Sequence, residues 1–335
     1  MVETCGGKIM KPIKIGLIGC GGISRAHARG YQSLKELLKV KATCDVSEEA
    51  AAERAKQVDA DQVYTNYAKM LKEADIDAVD ICLPHDLHAE VSIAASKAGK
   101  HVIVEKPIAV NLNEADSMIS AAEKAGTILM VALNERYDPA HEMIKQMIDD
   151  GKLGELLCIR IDHNQNVMLP KGHWIRSKAK LGGGVLIGSG IHRVDLLRWF
   201  GGEVSHVANF QVNQPDRMEG EVAAVMSVNF ESGCIGEATV IWAVRKAPWY
   251  EGAWVYGTEG SVYRINGLFW DSADGYVKLD VPEAGSFTEE LRHFGQCINS
   301  GEKPLTNGHE ARRSLELVLA AYESAEIGEI VKLPL

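Results

Sequence analysis

The chain has 335 residues, of which 46% are hydrophobic and 24% are charged, and its formal net charge is −10 at pH 7. This length allows two domains with sizeable cores, and the acidic balance argues against nucleic acid or an anionic membrane as the main partner. The sequence contains no run of about 18 apolar residues, so no transmembrane helix is predicted.

The first third of the chain alternates strand and helix patterns, which predicts a parallel, doubly wound sheet. Strands are expected at Ile13–Ile18, Val40–Cys44, Ala78–Leu83, Val102–Val104 and Ile128–Leu133. Helices are expected from the first glycine turn to about Leu38, and over Ser47–Val58, Met70–Ala74, His88–Ala98 and Asn113–Ala125.

The pattern changes after about Asn134, where longer strand-like stretches follow one more helix. These stretches predict a large, mainly antiparallel open sheet in a C-terminal α+β domain. The expected strands are Leu156–Ile161, Val204–Val212, Ala223–Phe230, Cys234–Val244 and Trp254–Tyr256, and the expected helices are Pro139–Asp150, Ile191–Phe200, Glu289–Asn299 and Glu310–Glu323. We therefore predict a tail over residues 1–10, a Rossmann domain over 11–133 and a substrate and oligomerisation domain over 134–335.

A glycine turn follows the first predicted strand. The segment Gly19-Cys20-Gly21-Gly22-Ile23-Ser24 fits the pattern G-x-G-x-x-small and opens the first helix. Such glycines allow a tight turn and close approach of the backbone to a pyrophosphate, and the helix N-terminus supplies N–H groups. Asp45 ends the second strand, where a carboxylate can bind ribose hydroxyls and repel a 2′-phosphate. We predict dinucleotide binding by Gly19, Gly21, Gly22, Ile23, Ser24 and Asp45, with NAD favoured and NADP possible.

Glu105-Lys106-Pro107 stands at the carboxyl end of the apolar run 101–104. In an open α/β sheet this edge is where ligands bind. Burial of a lysine is costly, so its placement here suggests chemistry. A lysine at a strand end more often points into water, and the residues alone leave that alternative open.

Several motifs, taken in order, resemble the Gfo/Idh/MocA oxidoreductases. They are the glycine turn, Leu83-Pro84-His85-Asp86-Leu87-His88, Glu105-Lys106-Pro107, Asn134-Glu135-Arg136-Tyr137-Asp138-Pro139, and the glycine-rich segment 182–195. The resemblance implies hydride transfer between NAD or NADP and a carbinol of a sugar, inositol or related polyol, without a metal. It also implies a homodimer or homotetramer packed through the C-terminal sheets.

The resemblance assigns roles by position. Lys106 matches the family's catalytic lysine and His192 its catalytic histidine. Residues expected around the cofactor are Leu83, Pro84, His85, His88, Glu105, Lys106 and Asn134. Residues expected by the substrate are Lys106, Arg136, Trp174, Gly188 and His192. Further specificity is expected from segments 162–180 and 244–250.

The chemistry of the reaction suits the two catalytic candidates. A histidine with an ordinary pKa of about 6.5 can take the hydroxyl proton near neutral pH. A lysine ammonium can stabilise developing alkoxide. The two residues could exchange these roles, and His192, judged without the resemblance, could equally be a capping or packing residue.

One position departs from the family pattern. The family often has an aspartate four residues before the catalytic histidine, and Gly188 stands there. Asp195, at helical spacing from His192, is one candidate substitute, and Ser189 or water is another. The missing side chain is also expected to enlarge the pocket for a bulkier substrate, such as a glycoside.

An NAD-dependent dehydrogenase is the leading hypothesis. The alternative is a glycoside hydrolase or lyase that retains NAD and acts by transient oxidation and elimination. A non-catalytic cofactor sensor would be expected to lose Lys106 or His192, and the chain has both.

Localisation and metal content are predicted from the termini and cysteines. The amino terminus lacks the charged-then-apolar pattern of a signal peptide. The seven cysteines form no CxxC pair, which favours reduced thiols and argues against a zinc site. We expect a cytoplasmic protein without a metal.

Overall fold

The computed structural model describes residues 11–245 and 250–335. The predicted tail over residues 1–10 and most of the predicted specificity segment 244–250 lie outside the described residues. None of the helices in the described ranges combines the length and apolar character that a membrane crossing requires.

A six-stranded parallel sheet forms the N-terminal part, with strand order β3-β2-β1-β4-β5-β6. Its strands are β1 (Ile13–Ile18), β2 (Leu38–Cys44), β3 (Gln62–Tyr64), β4 (Ala78–Ile81), β5 (His101–Glu105) and β6 (Leu129–Ala132). Its helices are α1 (Ser24–Ser33), α2 (Glu48–Val58), α3 (Tyr67–Glu73), α4 (His88–Lys97) and α5 (Leu112–Ala125). The predicted doubly wound parallel sheet is confirmed.

A nine-stranded sheet forms the C-terminal part, with order β14-β13-β12-β11-β7-β10-β9-β8-β15. The strands are β7 (Leu156–Asn164), β8 (Val204–Asn213), β9 (Glu221–Phe230), β10 (Ile235–Ile241), β11 (Tyr250–Gly257), β12 (Gly260–Arg264), β13 (Leu268–Ser272), β14 (Gly275–Leu279) and β15 (Val331–Lys332). The helices are α6 (Pro139–Asp149), α7 (Lys178–Leu181), α8 (Val185–Gly188), α9 (Gly190–Gly201), α10 (Ser286–Ser300) and α11 (Gly308–Ile327). Only β7 and β10 pair in parallel, so the predicted mainly antiparallel sheet is confirmed.

Local sequence explains where α5 begins and ends. Asn111 caps its first turn by accepting a hydrogen bond from the backbone N–H of Glu114. Gly126 follows the last turn with φ +66°, a left-handed conformation that glycine adopts without a steric penalty. The predicted helix end at this glycine is therefore confirmed.

The prediction for α1 is wrong at its end. The helix stops at Ser33 instead of continuing to about Leu38. Leu38 is fully buried and opens β2, where it pairs with Ile13. Because strand pairing and burial of Leu38 outweigh local helix propensity, the leucine-rich segment turns instead of extending the helix. The short, largely exposed edge strand β3 was not predicted.

Helix α10, near the end of the chain, packs against the N-terminal part of the molecule. Leu291 and Phe294 of α10 share a buried cluster with Ala28 and Tyr31 of α1. A side chain at Gly30 would lie 2.7 Å from Leu291, so the glycine allows these two helices to approach closely. The predicted domain boundary between residues 133 and 134 stays a prediction. Helix α10 lies after this boundary in the sequence but packs against the N-terminal part.

Candidate active site

The glycine turn after β1 has the geometry of a close-approach site. Gly19 has φ +90°, and a Cβ there would lie 2.3 Å from the Cys82 carbonyl oxygen. Gly21 and Gly22 have nothing within 4 Å of where a Cβ would point. The backbone of this turn is therefore open to a ligand while it packs tightly against the end of β4 on its other side.

Two side chains brace the turn from below. The Ser24 hydroxyl, which is buried, donates to the Gly21 carbonyl at 2.7 Å. The buried Arg54 of α2 donates to Ser24 Oγ at 3.1 Å and to the Cys20 carbonyl at 3.3 Å. Ser24 thus supports the turn instead of lining the cleft, and sequence reasoning missed Arg54, which stands 30 residues away from its partner.

Asp45 follows β2 at the same sheet edge. One carboxylate oxygen accepts the backbone N–H of Cys20 at 2.8 Å, and the other accepts that of Ser47 at 2.9 Å. These bonds fix the carboxylate beside the glycine turn. Negative charge at this position suits ribose hydroxyls and opposes a 2′-phosphate.

A cleft of about 710 Å³ runs from the glycine turn toward the C-terminal sheet. Its walls carry most of the predicted site residues. Those that line it are Gly19, Gly21, Gly22, Ile23, Asp45, Leu83, Pro84, His85, Glu105, Lys106, Trp174 and Gly188. The predicted residues absent from this lining are Ser24, His88, Asn134, Arg136 and His192. The cleft also includes Ser189, His173 and Trp242.

Lys106 reaches across the cleft. Its Nζ donates to the Gly188 carbonyl at 2.7 Å, which joins the end of β5 to the end of α8. Burial lowers the pKa of Lys106, while Glu105 and Glu135 oppose this by favouring the ammonium. The lysine is not directed into open water, so the solvent-exposed alternative is wrong.

The expected extra room beside Gly188 is not found. A Cβ on Gly188 would lie 2.5 Å from Cη2 of Trp242, so the indole ring occupies that side. The prediction of a pocket enlarged there is wrong, because the side chain of Trp242, the residue that follows β10, fills the space. Trp242 is largely buried and lines the cleft.

His192 lies one turn beyond Gly188, on α9. It is half-buried, and its Nδ1 is buried without a hydrogen-bond partner in the described chain. Burial and the charges of Lys106 and Arg193 lower the pKa of His192 well below its usual value. The imidazole is therefore neutral near pH 7, and the Lys106 charge contributes to keeping it so.

The expected relay through Asp195 is wrong. Asp195 is buried and its two oxygens accept Nε and Nη2 of Arg136 at 2.7 and 2.8 Å. Ser314 also donates to it. The same contacts remove Arg136 from the substrate: its side chain is 2% exposed, held between Asp195 and Glu310. A buried, bidentate ion pair satisfies both groups and orients neither toward the cleft.

Three other predicted cofactor residues have specific placements. His88 is buried, with its ring nitrogens 2.8 Å from the Pro107 carbonyl and 2.9 Å from the Leu83 carbonyl. It links the segments after β4 and β5 and thereby positions both. His85 contacts the Leu181 carbonyl at 2.8 Å and the edge of Trp174. Asn134 donates to Ser286 at 2.8 Å, at the start of α10.

A buried ionic network supports the strand that carries Lys106. His27 lies between Asp80 at 2.8 Å and Glu105 at 3.0 Å. Burial opposes protonation of His27, but the adjacent Asp80 raises its pKa well above the usual value. Glu105 Oε2 in turn accepts the backbone N–H of Lys106 at 3.2 Å. The network, which sequence reasoning missed, fixes the end of β5.

Two residues of this network, together with a neighbouring cysteine, are of types that can bind a metal ion. Ligand atoms of His27, Asp80 and Cys82 lie within 4.8 Å of one another. Both ring nitrogens of His27 are already engaged by carboxylates, so the arrangement is satisfied as an ion-paired network. The expected absence of a metal stays a prediction.

The residues present fit a dinucleotide. The open face of the glycine turn, the N-terminus of α1 and the carboxylate of Asp45 meet at the carboxyl edge of a doubly wound sheet. This is the edge at which such folds bind their ligands. Gly19, Gly21 and Gly22 would hold the pyrophosphate, and Asp45 would hold the ribose.

Comparison with known proteins agrees with this geometry. Residues 13–133 match the oxidoreductase family model with an NAD-binding Rossmann fold, and residues 141–263 match the GFO/IDH/MocA C-terminal domain. Myo-inositol 2-dehydrogenase of Thermotoga maritima is 28% identical over 338 residues, covering 96% of this chain and 98% of that protein. The 1,5-anhydro-D-fructose reductase of Ensifer adhaerens is 28% identical over 336 residues, covering 95% of this chain and 98% of that protein.

A solved structure is similar over nearly the whole fold. Levoglucosan dehydrogenase in complex with NADH superposes with a TM-score of 0.90 at 25% identity, covering 96% of this chain and 99% of that one. The same family is indicated by both family models and by relatives that match over their full length. The glycine turn and Asp45 are consistent with its NAD-binding fold. The chain therefore belongs to the Gfo/Idh/MocA family of NAD-dependent oxidoreductases.

Proposed function

We propose that the protein transfers hydride between nicotinamide and a secondary hydroxyl of a sugar, inositol or related polyol. The observation that carries this proposal is Lys106, whose ammonium is held at the Gly188 carbonyl inside the cleft that begins at the glycine turn. An ammonium placed between a dinucleotide site and a second, aromatic-walled region suits the oxygen of an alcohol. The related inositol and sugar enzymes support the same substrate class.

The two proposed catalytic groups divide the proton chemistry. Bound NAD supplies the hydride acceptor, as NADH supplies the donor in the reverse direction. Neutral His192 takes the hydroxyl proton as general base, since its lowered pKa keeps it unprotonated near neutral pH. Lys106 stabilises the negative charge that develops on the oxygen. In the alternative arrangement the roles are exchanged, with Lys106 as the general base and His192 stabilising the oxygen.

Aromatic side chains define the proposed substrate end of the cleft. Trp174 and Trp242 both line it, and Trp242 lies against Gly188. Indole rings offer flat apolar surface together with a polar N–H. The buried N–H of Trp242 has no hydrogen-bond partner in the described chain. We assign Trp174 and Trp242 to substrate contact, with Gly188 shaping the wall between Trp242 and Lys106.

The direct test is a screen for NADH formation across inositols, aldoses, sugar acids and glycosides. Stoichiometric NADH with at least one polyol or sugar is the expected result. A glycoside consumed with the cofactor recycled would instead indicate the NAD-retaining alternative, which the relatives named above do not support. Failure of every carbinol to reduce NAD, in protein that binds NAD, would contradict the proposal.

Cofactor choice depends on the charge of Asp45. Asp45→Asn removes this charge and keeps an acceptor oxygen for the turn, so we expect kcat/KM with NADP relative to NAD to rise by about tenfold or more. Steady-state kinetics with both cofactors measure the ratio. Asp59→Asn, at an exposed aspartate paired with Lys35, is the control and should leave it unchanged. An unaltered ratio in Asp45→Asn would contradict the role of the charge.

A second copy of the chain is the partner that the C-terminal sheet suits. On one face, Phe210 of β8 pairs with Val225 of β9, which pairs with Thr239 of β10. Phe210 is 79% exposed, and Val225 and Ile235 are exposed as well. Exposed apolar residues on one face of neighbouring strands favour a symmetric, self-complementary interface. We propose a homodimer or homotetramer through this face.

Substitution of the highly exposed Phe210 on this face tests the assembly. Phe210→Glu places a charge where two copies would meet, so the mass from light scattering should fall to that of a monomer. Ile327→Glu, at an exposed apolar residue ending α11, should keep the wild-type mass. A Phe210→Glu protein with wild-type mass would place the interface elsewhere.

We propose that the protein works in the cytoplasm on small molecules, without nucleic acid or membrane partners. The negative net charge supports this. So do the six unpaired cysteines of the described chain, Cys20, Cys44, Cys82, Cys158, Cys234 and Cys297.

A further inference from the structure

A second cavity, of about 300 Å³, adjoins the cleft. It lies between segment 171–180, which includes α7, and segment 215–219, which connects β8 and β9. Its charged lining residues are the cations Lys171, Arg176 and Lys180 and the carboxylate of Glu219. Three positive charges and one negative charge give the lining a formal balance of +2, in a chain whose net charge is −10. A concave site with this charge favours an anionic ligand.

Hydrogen bonds join the two segments and define the shape of the pocket. The Arg176 carbonyl accepts the backbone N–H of Glu219 at 2.9 Å. The Glu219 carboxylate accepts the backbone N–H of Lys178 at 2.8 Å. Nη2 of Arg176 donates to the Asp216 carbonyl at 2.6 Å. These bonds fix the Arg176 guanidinium at the wall of a structured cavity.

The cations of this pocket have N–H donors left for a ligand. Within the described ranges, the side chains of Lys171 and Lys180 make no hydrogen bond or ion pair. A guanidinium has five N–H donors, and Arg176 gives one of them to Asp216. The Ser177 hydroxyl, which also lines the pocket, does not cap α7. Because Glu219 already accepts an N–H, the groups left for a ligand are mainly donors, as an oxyanion requires.

Two aromatic residues connect this pocket to the cleft. His173 and Trp174 line both cavities. The Trp174 ring meets the His85 ring edge-on, with the centroids 5.0 Å apart, at the end of the cleft assigned to the substrate. Nδ1 of His173 accepts the backbone N–H of Ile175 at 3.3 Å, so the neutral ring is assigned its proton on Nε2, as one more donor. The donor-rich pocket is therefore a neighbour of the proposed substrate end.

We propose that the pocket around Lys171, Arg176 and Lys180 binds a phosphate group. A phosphate monoester carries about −1.5 to −2 charges at pH 7 and has three strong acceptor oxygens, which complement the lining in charge and in donors. The phosphate belongs either to a phosphorylated sugar or polyol, whose carbinol lies in the cleft, or to free inorganic phosphate. The first source rests on the proposed function, whereas phosphate binding itself does not.

Titration with inorganic phosphate tests the site without turnover. The protein is first saturated with NAD, which occupies the glycine turn, and calorimetry is performed at constant ionic strength so that screening is equal in all samples. Saturable binding of phosphate is the expected result. The double substitution Lys171→Gln with Lys180→Gln should weaken it by about tenfold or more, because two charged donors are lost. Both side chains are exposed and unbonded in the described chain, so the variant should fold.

Lys178→Gln is the matched control. Lys178 is an exposed cation of the same helix, α7, but its side chain does not line the pocket. Its replacement should leave the phosphate affinity unchanged. Absence of saturable phosphate binding in the wild-type protein overturns the proposal. Equal weakening by Lys178→Gln overturns it as well, since phosphate would then respond to the general charge of the region and not to a site.

Paired substrates identify the source of the phosphate. If the substrate carries it, kcat/KM for NADH formation should be higher with a sugar or inositol monophosphate than with the unphosphorylated parent. The double substitution should then remove most of this preference by raising KM for the monophosphate alone. Equal kcat/KM for the two compounds, with inorganic phosphate bound at the pocket, would identify the free anion as the ligand. Protein that binds phosphate but oxidises no carbinol would refute the proposed function and leave the phosphate site standing.

Discussion

Lys106→Ala is expected to reduce kcat/KM for NADH formation by about 10³-fold or more, while NAD binding stays nearly intact. Removal of one preorganised donor from a developing oxyanion costs about 10²–10³-fold, and this substitution also removes a full positive charge. The ammonium has three N–H donors, and the Gly188 carbonyl takes one at 2.7 Å. NAD affinity should persist, since the glycine turn and Asp45, and not Lys106, are proposed to hold the pyrophosphate and the ribose.

Two measurements separate this role from a structural one. Turnover is followed by NADH absorbance, and NAD affinity by calorimetry on the same preparation. Lys100→Ala removes a lysine from the amino end of the same strand, where its Nζ donates to the Ile76 carbonyl, and should leave turnover within about twofold. Lys106→Ala with normal turnover refutes the assignment, and loss of NAD binding in parallel would reassign Lys106 to the cofactor.

The glycine turn, Asp45 and Lys106 could be predicted because each depends on local order along the chain. A strand followed by glycines and a helix dictates a phosphate-binding turn. A parallel sheet brings the carboxyl ends of β1, β2 and β5 to one edge. The sequence therefore predicts that these residues lie at one sheet edge, and in the structure they line one cavity.

The substrate half could not be predicted in the same way. Its arrangement depends on which side chains from elements far apart in the sequence contact each other. Arg136 and Asp195 are 59 residues apart, and nothing local indicates that they pair instead of facing the cleft. The space beside Gly188 depends on Trp242, which follows β10 and is 54 residues away along the chain. Motif position suggested a function for Arg136, whereas burial and a bidentate partner assign it to the interior.

His192→Ala is expected to lower kcat/KM by about 10²–10⁴-fold, the usual contribution of a general acid or base. The pKa of His192 is held well below its usual value by burial and by the Lys106 and Arg193 charges. The base must be neutral, so wild-type activity should decline only when pH falls through this lowered pKa. In His192→Ala the residual activity should lose that acidic limb, because the base whose protonation causes it has been removed.

The pH profile distinguishes proton transfer from packing. A histidine that only packs on α9 would, when replaced, reduce activity without changing the shape of the profile. His101→Gln, at the amino end of β5, where the ring accepts the Ile128 backbone N–H, is the control and should leave both rate and profile unchanged. If His192→Ala keeps the acidic limb, the base is a different group. Because Lys106 also has a lowered pKa, an acidic limb that disappears only in Lys106→Ala would show that the two residues have exchanged roles.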